Sequence, residues 1–155
     1  MSIIRQDVTT KEWVILAPGR GHRPHEVRPS HTPRPLAAWE AACPFCPGNE
    51  PQTPPEVFRI PAPGGSGWTV RVVPNKFGAL SDEDAPQRRN EGPLFREMTG
   101  VGHHEVIIET PLHNRPLPLM TDAEVAQVLS AYQARYLALR DDPRSHLHHA
   151  LQKSR

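Results

Sequence analysis

The segment CPFCPGNE, residues 43–50, holds the only two cysteines of the 155-residue chain, three positions apart and each followed by proline. Two thiolates at this spacing reach one point in a tight turn and occupy two corners of a zinc tetrahedron, at about 2.3 Å from the metal. The redox use of the same spacing needs the motif at a helix N-terminus after a strand. Pro47-Gly48 resists a helix, so metal is the favoured reading of Cys43 and Cys46. The other ligands have to be histidine or carboxylate, and the chain has nine histidines. His113 leads because it lies just past the strand-like segment HEVIIET. His103 and His104, at the start of that segment, are the alternatives and point to opposite faces. No pair of histidines follows the cysteines at zinc-finger spacing, which disfavours a nucleic-acid-binding finger.

The composition bounds the rest. Hydrophobic content is 37%, prolines number 19, and net charge is +1. These values predict one domain with a modest core and long extended connections. A balanced charge gives no field that would attract nucleic acid or an anionic membrane. No apolar run approaches the roughly 18 residues of a membrane span, and the N-terminus lacks a signal-peptide pattern. The cytoplasm is the expected compartment, where two cysteines do not form a structural disulfide.

Residues 12–16, EWVIL, predict a short strand. Residues 17–35, rich in Pro, Arg and His, predict an extended arm, because proline fixes φ and removes backbone donors. On composition this arm reads as a solvated loop, with an anion-binding role for Arg20 and Arg23 as the alternative. Strands are predicted over 56–60 and 69–75, joined as a hairpin by a Gly/Pro cluster. SDEDAPQRRNEGP predicts a surface loop, and residues 104–110 another strand. Thr121 followed by Asp122, Ala123 and Glu124 forms a capping box. Val125, Val128, Leu129, Tyr132, Tyr136 and Leu139 then make one apolar helical stripe that stops before Pro143. Strands followed by one amphipathic helix predict an α+β fold with the helix on one sheet face.

Five pieces in order, RQDVTTKEWVILAPGRGHRP, CPFCPGNE, EVFRI, VRVVPNKFGAL and GHHEVIIETPLH, resemble galactose-1-phosphate uridylyltransferase and its relatives that handle ADP-sugars. The resemblance covers most of residues 5–140. It implies a histidine-triad-like α+β fold and a ping-pong transfer of a uridylyl group from UDP-glucose, through a histidine, to galactose 1-phosphate. A phosphoramidate intermediate would divide one hard displacement into two. The resemblance makes Cys43, Cys46 and His113 zinc ligands. It makes Arg20, Arg23 and Asn75 nucleotide- and phosphate-contacting residues, and Phe77 and Val57 apolar walls. Arginine suits that role because its planar fork bonds two phosphate oxygens. Complete members of the family form dimers, so a homodimer is possible by the same resemblance.

The family's later strand, Gly/Ser loop and His-Pro-His-x-Gln segment do not occur in these 155 residues. His146, His148 and His149 do not replace them: the connecting strand would have to fit between Pro143 and His146, which about 3.3 Å per extended residue forbids. The expectation is therefore an N-terminal uridylyltransferase-like domain over 1–142, incomplete at its C-terminus, with a divergent tail over 143–155. Such a chain has no catalytic nucleophile and is inactive alone. An ADP-sugar phosphorylase or adenylyltransferase relative, a non-catalytic zinc-stabilised module, and a gene remnant are the competing readings.

Overall fold

The computed structural model describes residues 1–22 and 36–143. Arg23 and the tail from residue 144 lie outside the described residues. Among the described residues, seven strands and one α-helix occur in the order β1 (Ile3–Gln6), β2 (Trp13–Leu16), β3 (Phe58–Pro61), β4 (Trp68–Pro74), β5 (Arg88–Glu91), β6 (Phe95–Thr99), β7 (Glu105–Ile108) and α1 (Asp122–Arg140). They form two antiparallel sheets, β2-β1-β6-β5 and β3-β4-β7.

The three-stranded sheet carries the core. Its central strand β4, WTVRVVP, buries Trp68, Val70, Val72 and Val73. Alternation sends successive side chains to opposite faces, and the bulge where Ile60 and Pro61 face Val70 and Trp68 turns Trp68 to the face of Val73. On one face Val70 packs with Val128 and Ala131 of α1, bordered by Phe58, Ile60, Ile107 and Tyr132. On the other, Trp68, Val73 and Ile108 pack with Phe45, from the middle of the cysteine turn, and Val106. The sheet is thus covered by the helix on one side and by the cysteine turn on the other.

The helix follows its sequence. Thr121 caps it: its side chain accepts from Glu124 N, and Glu124 accepts back from Thr121 N at 2.7 Å, closing the capping box. The stripe is narrower than the apolar pattern predicts. Val128 and Ala131 are buried and Val125, Tyr132 and Leu139 half-buried, whereas Leu129 and Tyr136 are exposed. Alanine at 131 lets the helix lie close to β4, and that close line of approach sets which face is inside.

Several expectations are corrected. The segment read as a surface loop contains β5, which pairs with β6 in an exposed hairpin. β1, which the sequence pattern did not reveal, pairs with both β2 and β6. The predicted strand over 56–60 begins at Phe58. β2 is also exposed along its whole length.

Candidate metal centre and nucleotide-contacting residues

The cysteine turn is built before any metal is considered. Cys46 N donates to Cys43 O at 3.3 Å and Asn49 N to Cys46 O at 3.1 Å, so the backbone folds tightly between the two sulfurs. Gly48 sits at φ +89, where a glycine avoids the steric cost other residues meet. The Asn49 amide then gathers the preceding loop, donating to Cys43 O at 2.7 Å and Ala41 O at 3.1 Å. Trp39 Nε1 donates to Pro47 O at 2.9 Å.

His113 arrives from the other side. It lies five residues past the end of β7, and its backbone N–H donates to Ala38 O at 2.8 Å. Asn114 Nδ2 adds a bond to Leu36 O at 3.1 Å. These bonds bring the loop after β7 against the stretch leading to the cysteines. The ligand atoms of Cys43, Cys46 and His113 all lie within 4.8 Å of one another. Cys46 Sγ is 3.5 Å from His113 Nδ1. A tetrahedral ion with zinc-like bond lengths separates a thiolate sulfur and an imidazole nitrogen by about 3.6 Å. A thiol–imidazole hydrogen bond accounts for that one contact but not for the second sulfur gathered beside it. Two soft sulfurs and an imidazole suit zinc-type ions. The donor set therefore fits a metal, with one corner left to another ligand.

The two alternative histidines are turned elsewhere. His103 Nε2 is 2.9 Å from Asp142 Oδ2, at the end of α1, and its Nδ1 is 3.5 Å from Asp82 Oδ2. His104 Nδ1 accepts from Ala79 N at 2.8 Å. Their positions on opposite faces of the chain at the start of β7 send them to opposite partners and, among the described residues, leave His113 as the histidine at the sulfurs.

Arg20, Asn75 and Phe77 converge at a second place. Arg20 Nη1 donates to Phe77 O at 2.8 Å, and Phe77 N donates to Asn75 Oδ1 at 2.9 Å. Asn75 Nδ2 lies 3.1 Å from His104 Nε2, and Asn75 N donates to His104 O at 2.8 Å. The bond to Phe77 O occupies one of the five guanidinium donors of Arg20. Sequence reasoning missed His104 as the brace of this turn and Asn49 as the clamp of the cysteine turn. Both make side-chain bonds to distant backbone, which only the fold reveals.

The turn is also fastened electrostatically. Glu50 Oε1 accepts from Trp68 Nε1 at 3.0 Å and Glu50 Oε2 from Gly48 N at 2.8 Å. The Trp68 bond is the largest cause holding the Glu50 carboxyl below its ordinary range, against the opposing effect of burial. Buried Arg71 donates to Glu56 Oε2 and Thr53 Oγ1, at 2.8 and 2.9 Å, so its guanidinium is paired beneath the turn.

A family model described as galactose-1-phosphate uridyl transferase, N-terminal domain, matches residues 2–148. An ADP-glucose phosphorylase of Arabidopsis thaliana is 34% identical over 133 residues, covering 85% of this chain and 37% of that protein. A galactose-1-phosphate uridylyltransferase of Haemophilus influenzae is 28% identical over 134 residues, covering 79% of this chain and 33% of that protein. The crystal structure of an Arabidopsis thaliana ADP-glucose phosphorylase with bound ADP-glucose superposes with a TM-score of 0.52 at 27% identity, covering 93% of this chain and 40% of that one. The chain spans about a third of the length of the curated relatives it matches. The superposition agrees with the antiparallel α+β architecture expected from the sequence. Matched along nearly its whole length, the chain belongs to the galactose-1-phosphate uridyl transferase family, through that family's N-terminal domain.

Proposed function

We propose that this chain is the zinc-bearing, nucleotide-sugar-binding part of a cytoplasmic nucleotidyltransferase. The observation that carries the reading is the gathering of Cys43, Cys46 and His113 within 4.8 Å, in a chain whose family handles sugar nucleotides. Zinc on these three residues acts as a cross-link. It ties the turn that covers one sheet face to the loop following β7. Arg20, Asn75 and Phe77 contact the nucleotide diphosphate; Arg23, outside the described residues, is assigned the same role by the family resemblance alone. Arg20 brings positive charge to phosphate oxygens, and the Phe77 N–H on Asn75 Oδ1, with the Asn75 backbone N–H on His104 O, holds Asn75 in one orientation for the nucleoside. Positioning and charge dispersal of this kind make up most of what a protein contributes to phosphoryl chemistry. The His-Pro-His segment in which the family resemblance places the nucleophile does not occur in these 155 residues.

Two donors are in question. The 34% identity to an ADP-glucose phosphorylase favours an adenine nucleotide sugar. The family model and the 28% identity to a uridylyltransferase favour UDP-glucose with galactose 1-phosphate as acceptor. Calorimetric titration of the purified chain with ADP-glucose and UDP-glucose separates them. The expected result is binding of one at least tenfold tighter than the other, lost in R20A and N75A. No heat from either ligand refutes the binding role. Metal analysis tests the other half: one equivalent of zinc, falling to near zero in C43S and H113A. A full complement of zinc in H113A refutes the assigned ligand set.

A further inference from the structure

One face of the four-stranded sheet holds two arginines that the described residues leave unanswered. In the β5–β6 ladder Arg88 stands opposite Met98 and Asn90 opposite Arg96. Residues two apart on a strand share a face, so these four side chains stand together. With Trp13 of β2 they line a shallow depression of about 260 Å³. The other face shows how this sheet pairs its charges: Arg5 Nη2 lies 2.8 Å from Glu97 Oε2 and Arg89 Nη1 3.8 Å from Glu97 Oε1. Glu97 also borders the depression, but its carboxylate is committed to those two arginines. Neither the Arg88 nor the Arg96 guanidinium has an ion pair or hydrogen bond among the described residues.

The register places Arg88 and Arg96 as diagonal neighbours, about 7–8 Å apart at the backbone and within common reach of one anion. Like charges so placed repel, and a phosphate between them removes the repulsion while accepting from both forks. Trp13 is 49% exposed and offers an aromatic surface two strands from Arg96 and three from Arg88, about 10 and about 14 Å across the sheet. Those distances lie within the span of a base, a ribose and a phosphate once the long arginine side chains lean inward. Asn90, on the edge strand β5 opposite Arg96 and two residues from Arg88, adds an amide with both donor and acceptor.

We propose that this face is a second ligand site, for a nucleoside phosphate. Arg88 and Arg96 hold the phosphate and Trp13 stacks on the base. The site is separate from the one assigned to Arg20 and Asn75: β2 runs from Trp13 to Leu16 before the chain reaches Arg20, so the depression lies at the far end of that strand. A net charge of +1 gives no field for a long polyanion, which restricts the ligand to a small one.

The test uses the whole chain carrying R20A and N75A, which removes the first site, with adenosine 5′-monophosphate as probe. AMP is expected to shift the Trp13 indole N–H resonance, assigned from W13F. R88A/R96A is expected to weaken AMP binding at least tenfold, and inorganic phosphate to compete. An indole resonance that stays unmoved at saturating AMP in the parent overturns the proposal without reliance on any sheet variant. So does a folded R88A/R96A protein, with an unchanged circular dichroism spectrum, that binds AMP as the parent does. Neither outcome depends on whether the chain binds a nucleotide sugar through Arg20.

Discussion

Trp68 donates its indole N–H to Glu50 at 3.0 Å, and through that bond the end of the cysteine turn is held by the buried core of β4. The bond joins a side chain 4% exposed to a carboxylate that also collects Gly48 N. Hydrogen bonds to charged groups contribute about 1.5–3 kcal/mol. W68F removes the donor and keeps an aromatic ring in place. Its denaturation midpoint should fall by that order, and it should lose zinc to a chelator faster than the parent. Equal chelation rates would show that the turn is held without this bond.

Glu56 answers the buried Arg71 guanidinium. Arg71 is 3% exposed and sits in the middle of β4, so removing its counter-charge leaves a cation under the turn. Glu56 keeps a quarter of its side chain exposed, which places the cost of E56A near the low end for a broken buried pair, about 3 kcal/mol. Urea denaturation measures it.

The same carboxylate gives a pH dependence. The Arg59 hydrogen bond, and after it the Arg71 bond, hold the Glu56 pKa below its ordinary value. A depressed folded pKa contributes stability that is fully present above the unfolded value and lost as pH falls through the folded one. The parent should therefore lose stability from about pH 4.5 downward more steeply than E56Q. Parallel curves for the two proteins would refute the assignment.

Thr121 closes the capping box at the start of α1. Replacing an N-cap threonine by alanine costs about 1 kcal/mol. T121A should lower the unfolding free energy by that amount with an unchanged m-value, and T121S should restore most of it. A T121A protein as stable as the parent would mean that packing on β4 alone fixes the helix start.

Tyr132 donates its hydroxyl to Glu109 Oε1 at 2.6 Å. Burial, and then the adjacent carboxylate, push its phenol above the ordinary value of 10. The chain has two tyrosines, so Y136F leaves Tyr132 as the sole reporter. Its tyrosinate absorbance should rise only above that ordinary value, and E109Q should bring the transition back down. A titration at the ordinary value in Y136F would place the ring in water.

What was legible in the sequence had short-range physics behind it. The capping box, the hairpin of β3 and β4 and the tight turn between the cysteines each rest on residues within a few positions of one another. The choice among His103, His104 and His113 was not legible from residue chemistry, because all three flank one strand; the resemblance pointed to His113, and the partners Asp142 and Ala79 account for the other two. β5 escaped because RRNE has no apolar period; its backbone pairs in a hairpin whose side chains stay in water. The helix stripe was misjudged at Leu129 and Tyr136 because periodicity marks a face but not its width. Ala131, too small to weigh in a hydrophobic pattern, marks the line of closest approach to β4.

β2 carries Trp13, Val14, Ile15 and Leu16 along an outer border of its sheet, all four exposed. A border with free backbone donors and acceptors and oily side chains on both sides is a template for adhesion between molecules. Purified material should consequently thicken into clusters as it is concentrated, and a single lysine placed at Val14 should keep the solution clear.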